Sequence, residues 1–127
     1  MPKTSSEDKR LARVTEIALS FPEVKRELHG SHATFLVRRK PFAYYLDNHH
    51  GDGLIGIACK VQPGENQSRV EAQPEGFYPP AYLASRGWAA LSLDRGKTDW
   101  HQVKELLFGS YTMIAPKRWS EQLMSDL

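Results

Sequence analysis

The sequence predicts an α+β fold, a two-layer sandwich in which an antiparallel sheet carries helices on one face. Three observations lead there. A helical apolar period near the N-terminus gives way after Pro22 to a period of two, short apolar runs are separated by tight turns, and a helical period returns after Asp99. Short strands joined by tight turns pair antiparallel, because parallel pairing needs long crossovers. The expected order is α-β-β-β-β-α-β-α-α, in a single domain over residues 1–127.

Each element has a local reason. Thr4 and Glu7 have the spacing of a capping box, and Leu11, Val14, Ile17, Ala18 and Phe21 then recur on one helical face until Pro22 ends it. Four strands follow, Val24 to His29, Ala33 to Arg38, Phe42 to Asp47 and Leu54 to Lys60. Gly30-Ser31, Lys40-Pro41 and the segment from Asp47 to Gly53 supply their turns. Pro63-Gly64-Glu65-Asn66 opens a short helix over Gln67 to Gln73, and Pro74 to Ala81, with three prolines, reads as an irregular surface loop. Trp88 to Asp94 forms a further strand closed by Arg95-Gly96-Lys97. Asp99 caps the next helix, with Gln102 three residues on and Trp100, Val103, Leu106, Leu107 and Tyr111 as its buried stripe. Pro116 interrupts it, and a last short helix runs from Lys117 to Met124.

Bulk properties exclude several classes. With 40% hydrophobic and 25% charged residues in 127, the chain is globular and large enough for one core. Its one cysteine, Cys59, leaves no intrachain disulfide and no thiolate metal site, which fits a reducing compartment. Cys59 ends an apolar strand and reads as a buried, inert thiol. No apolar stretch approaches the roughly 18 residues of a membrane span. The expectation is a cytoplasmic monomer without a membrane partner. A formal charge of +2 neither requires nor excludes nucleic acid, so any basic stripe must come from local clusters.

Several ordered segments resemble the MmcQ/YjbR family. They are Phe21-Pro22-Glu23-Val24, the Phe42-Ala43 strand, the pattern PAYL-x-x-RGW from Pro80 to Trp88 with a strand ending in Leu93-Asp94, and the Asp99-Trp100 helix start followed by SYTMIAPKR from Ser110 to Arg118. The resemblance implies a compact fold similar to secretion chaperones and frataxin-like two-layer domains. It also implies DNA binding, through a double-wing arrangement in which hairpins flank a basic surface. One branch of the family carries Asn-Lys-x-His-Trp where this chain has Ser85-Arg86-Gly87-Trp88, so a role of that branch's polar residues does not carry over.

The candidate nucleic-acid contacts are Arg38, Arg39 and Lys40 at a hairpin tip, and Lys117 and Arg118 with Arg95 and Lys97 around the start of the last helix. Lysine and arginine neutralise phosphates without reading sequence. The competing explanation is solvation, or protection of a strand edge. Trp119, beside Lys117-Arg118, is the tryptophan placed for stacking, whereas Trp100 and Trp88 read as core, and Tyr44 and Tyr45 point to opposite sheet faces. His49, His50 and Asp52 share a turn but lack the three or four fixed ligands of a metal site, so no metal, cofactor or catalytic residue is assigned. The expectation is a non-enzymatic protein that binds DNA electrostatically. The alternative is a protein-interaction or chaperone-like module with no nucleic-acid partner.

Overall fold

Helix α1, Lys9–Leu19, buries Leu11, Val14, Ile17 and Ala18, the face its apolar spacing anticipates. The computed structural model describes residues 9–47, 53–80, 83–95, 97–119 and 121, so the capping pair Thr4 and Glu7 and the cluster His49, His50 and Asp52 lie outside the described residues. Strands β1 (Val24–His29), β2 (His32–Val37), β3 (Lys40–Asp47) and β4 (Ile55–Lys60) form an antiparallel meander. After helix α2 (Glu65–Ala72) come β5 (Phe77–Tyr78), a 3-10 turn (Ala84–Arg86), β6 (Trp88–Ser92) and helix α3 (Trp100–Ile114). The six strands lie in the order β1-β2-β3-β4-β6-β5. No helix among the described residues is long and apolar enough to cross a membrane.

The expected α+β architecture holds, with differences in detail. Pro74 to Ala81 is not simply an irregular surface loop. Phe77 pairs with Leu91 and Tyr78 with Ala90, both side chains are buried, and the Ser92 N–H donates to the Gly76 carbonyl at 2.7 Å. Two residues between prolines are too few to show a period of two, so pairing and burial alone reveal β5. The turn between β2 and β3 also moves. Lys40 and Pro41 lie inside β3 rather than at its tip, because Phe42 is an additional residue that shifts the register from Phe35–Ala43 to Leu36–Pro41. A bulge is one of the few strand positions that tolerates proline.

The bulge leaves a break in the β3–β4 ladder, and α3 fills it. Regular pairing stops at Ala43–Cys59. Beyond it, the Ser110 hydroxyl donates to the Phe42 carbonyl at 2.5 Å and accepts the Lys60 N–H at 3.0 Å, with Ser110 fully buried. One side chain thus satisfies two backbone groups that the ladder cannot pair.

Helices α1 and α3 cover one face of the sheet, where Phe35, Phe42, Tyr45, Ile57, Cys59 and Leu91 meet Val14, Val103, Leu107 and Tyr111. Burial pushes the Cys59 thiol well above its ordinary range, against a smaller opposing effect of the Arg69 charge. Asp99 caps α3 as expected, its carboxylate accepting the His101 and Gln102 N–H groups at 3.0 and 3.2 Å. Trp100, expected in the buried stripe, is only half-buried, with the Arg13 guanidinium 5.8 Å from its ring centre. The other face carries a smaller cluster of Leu46, Ala58, Tyr78, Trp88 and Ala90 that contains no residue of α1, α2 or α3. Tyr44 and Tyr45 do divide between the faces: Tyr45 joins the helix-covered core, and Tyr44 packs on Trp88 in a tilted contact with ring centres 5.3 Å apart. Tyr78 crosses Gly56 so closely that a Cβ there would stand 2.5 Å from its hydroxyl.

Candidate functional site

The turn between β2 and β3 has an unusual composition for its geometry. Val37 pairs with Lys40, so Arg38 and Arg39 alone make the connection, with φ of 54° and 67°. Two consecutive left-handed residues are the mark of the two-residue hairpin turn that matches strand twist, for which Asn-Gly is the low-energy choice. Arginine carries a Cβ that this backbone disfavours. Among the described residues, one other non-glycine residue has positive φ, Glu23 at 63°.

These three residues line the same groove. It has a volume of about 550 Å³ and lies on the sheet face away from the helices. Lys25 and Glu27 alternate along β1, and Leu36 is the register partner of Lys25. Trp119 closes the groove from the C-terminal segment. Residues 117–119 are helical, the Trp119 N–H donates to the Pro116 carbonyl at 2.9 Å, and the ring is half-buried against the main core. The Arg118 guanidinium stands 5.8 Å from the centre of that ring, within cation–π range.

The core fixes the groove's wall. Phe21 and Phe42 pack on Tyr111 with ring centres 5.1 and 5.8 Å away, and the Tyr111 hydroxyl donates to the Pro22 carbonyl at 2.8 Å. That bond holds the residue immediately before the left-handed Glu23. Burial, and after it the charge of Glu23, push the Tyr111 phenol above the ordinary tyrosine range, which keeps it a hydrogen-bond donor. The groove's charges are mixed: Lys25, Arg38 and Arg39 against Glu23 and Glu27. Arg38, Arg39 and Lys40 are exposed and take part in no ion pair among the described residues.

The structure gathers part of the expected set and separates the rest. Arg38, Arg39, Lys40, Arg118 and Trp119 lie at one end of the sheet. Lys117 is on the same short helix, exposed, and 3.8 Å from Glu121. Arg95 and Lys97 do not join them. They follow β6, whose last residue Ser92 pairs with Gly56 near the start of β4, at the end of the sheet opposite the Arg38-Arg39 turn. Strand length alone, about 3.3 Å per residue over five residues, puts them more than about 15 Å away. Trp119, read as exposed, is half-buried. Among the described residues no group of three or more His, Cys, Asp or Glu side chains is arranged to hold a metal ion. His32 instead bonds through Nε2 to the Asp47 carbonyl at 3.0 Å, and His29 lies 3.8 Å from Glu27.

Sequence reasoning missed Glu23, Lys25, Glu27 and Leu36. The alternation of β1 could have placed Lys25 and Glu27 on one face. Nothing in the residue type of Glu23 signals its left-handed backbone. A second concavity, about 510 Å³, lies between α2 and the 3-10 turn and includes Tyr78, Ser85 and Trp88. Its lining is largely neutral, and Asn66 is engaged with the Ala84 carbonyl at 3.2 Å.

A family model described as YjbR matches residues 19–113. The match includes every groove residue except Trp119. Among solved structures, the chain is similar to the crystal structure of Deinococcus radiodurans protein DR2400, described by the domain family DUF419. The two are 19% identical, the alignment covers 90% of this chain and 87% of that one, and the TM-score is 0.67. At that identity the likeness is one of fold. No curated protein matches the chain.

Proposed function

The chain belongs to the YjbR family, and we propose that it is a small non-enzymatic binding protein for nucleic acid, held chiefly through phosphate contacts at the Arg38-Arg39 end of the sheet. The observation that carries this is the turn itself. Two arginines, unpaired among the described residues, occupy backbone positions that favour Asn-Gly, at the mouth of a groove that a tryptophan closes. Strain kept at a surface position without a packing reason supports a functional use for the residues that bear it. Arg38 and Arg39 line the groove, Lys40 follows them at the start of β3, and Arg118 stands beside Trp119, so positive charge gathers at this end of the sheet.

Such contacts predict weak base discrimination and a steep salt dependence. In a mobility-shift titration, binding at low salt weakens as salt rises and drops in the Arg38→Ala/Arg39→Ala variant, while Arg95→Ala and Lys97→Ala change it little. Absence of binding at low salt refutes the reading, and so does turnover of the bound strand. On this reading the protein is a cytoplasmic monomer. A dimer in sedimentation that covers the groove refutes that part.

A second reading, docking of a peptide segment, draws on β1. It is an edge strand of the sheet, and its Leu28 is 52% exposed. An extended segment adding to that edge leaves Arg38→Ala/Arg39→Ala without effect and is blocked by proline at a β1 position whose N–H faces outward.

A further inference from the structure

We infer that the groove receives one unstacked base of a single strand, with the flanking phosphates on the arginine turn. The inference rests on the nucleic-acid reading above and narrows it to a substrate class.

Three features of the groove point the same way. The first is shape. The β2–β3 connection extends only two residues beyond the Val37–Lys40 pair, so it forms a low rim and not a long wing. Behind the rim is a concavity of about 550 Å³, within the range that takes drug-sized ligands. The second is the aromatic wall. Trp119 is anchored on the core and lines the groove, and the Arg118 guanidinium stands 5.8 Å from its ring centre. Aromatic side chains bind bases whose faces are free, which single strands offer and duplexes do not.

The third is the placement of charge. Glu23 and Glu27 line the groove with Lys25, so a phosphate backbone running along its floor would meet two carboxylates. The same carboxylates accept hydrogen bonds from exocyclic base amines, as from N4 of cytosine. The cations Arg38 and Arg39 line the groove from the exposed two-residue turn. Backbone on the rim and base inside is the arrangement that satisfies both signs of charge. Leu36 supplies apolar contact beneath the base.

The test uses the full chain and labelled oligonucleotides of about twelve nucleotides, a length within the site sizes of single-strand binders. Oligo-dC, oligo-rC, oligo-dT and a mixed duplex are titrated at low salt by fluorescence anisotropy. The expected result is tighter binding of oligo-dC or oligo-rC than of the duplex, the better of the two identifying the sugar. Trp119→Leu then weakens the cytosine strand by about tenfold or more, Trp119→Phe restores most of the affinity, and the duplex is unaffected by either. Glu27→Ala, at an exposed position, removes the preference for oligo-dC over oligo-dT.

Equal binding of single strand and duplex overturns the inference without any variant, so a poorly folded Trp119→Leu protein does not shelter it. If both ligands then weaken together in Arg38→Ala/Arg39→Ala, the electrostatic reading stands and the base-receiving groove falls. If neither ligand binds at low salt, both fall.

Discussion

Replacing Arg38-Arg39 by Asn-Gly moves stability and binding in opposite directions. Both arginines are left-handed, at φ 54° and 67°, where an L-residue lies roughly 1–2 kcal/mol above its ordinary conformations. Asn tolerates that region and Gly has no Cβ to oppose it. Glycine gives back about 0.5–1 kcal/mol through its greater freedom in the unfolded chain. The double variant is therefore more stable by about 1–2 kcal/mol. A 127-residue domain gains roughly 3–5 °C per kcal/mol, so its melting midpoint rises by about 3–10 °C. The same change deletes two cations, which for a single strand lowers the slope of log affinity against log salt by about 1.4. Thermal melts, with anisotropy titrations at several salt concentrations, read both quantities. A variant that melts no higher than the parent refutes the strain argument, because the arginine side chains must then hold the turn by contacts. A variant that melts higher yet binds as tightly refutes the assignment of the turn to a ligand.

Three further outcomes test how the fold is held together. Ser110→Ala leaves the Phe42 carbonyl and the Lys60 N–H without their shared partner, and urea unfolding shows a loss of about 1–3 kcal/mol. Gly56→Ala drives a methyl to 2.5 Å from the Tyr78 hydroxyl and 2.7 Å from the Leu91 carbonyl, costing about 1–3 kcal/mol in the same assay. Tyr111 has a phenol raised by burial and by Glu23, so its contribution is complete below the unfolded tyrosine value and declines as pH climbs through the folded one. Tyr111→Phe is less stable than the parent at neutral pH and loses less stability above about pH 10. Parallel alkaline stability curves for the two proteins contradict that linkage.

The fold was legible wherever a pattern ran long enough to repeat. The stripe of α1, the alternation of β1 to β4 and the Asp99 cap are local signals, and each is found where the residues place it. What escaped depends on partners distant in sequence. Phe77 and Tyr78 become a strand only because Leu91 and Ala90 lie beside them. Pro41 enters a strand only because Phe42 bulges. Part of the site was legible through charge: the basic run at the β2–β3 tip is where composition puts it. The rest was not, since Arg95 and Lys97 are close in sequence to α3 but are fixed by the start of that helix, and Lys117 to Trp119 by its far end. Helix α3 spans 15 residues, and about 1.5 Å per residue carries the chain across the sheet between the two clusters.

The family segments at the two ends of the chain form one wall. Phe21-Pro22-Glu23-Val24 precedes β1, and the segment from Ser110 to Arg118 closes α3, yet Tyr111 bonds the Pro22 carbonyl and packs on Phe21. Ser110, one residue earlier, bridges the break beside Phe42. These contacts belong to stability, and they set the backbone on which Glu23 turns left-handed. Three residues past Pro116, Trp119 reaches the same groove from the other side. In the proposed binding, a residue such as Tyr111 therefore acts only through position, and Trp119 acts by contact. The distinction is measurable, because loss of a positioning bond lowers affinity for every strand in step with stability, whereas Trp119→Leu, which also removes a contact with the core, lowers affinity for a free base further than for a duplex.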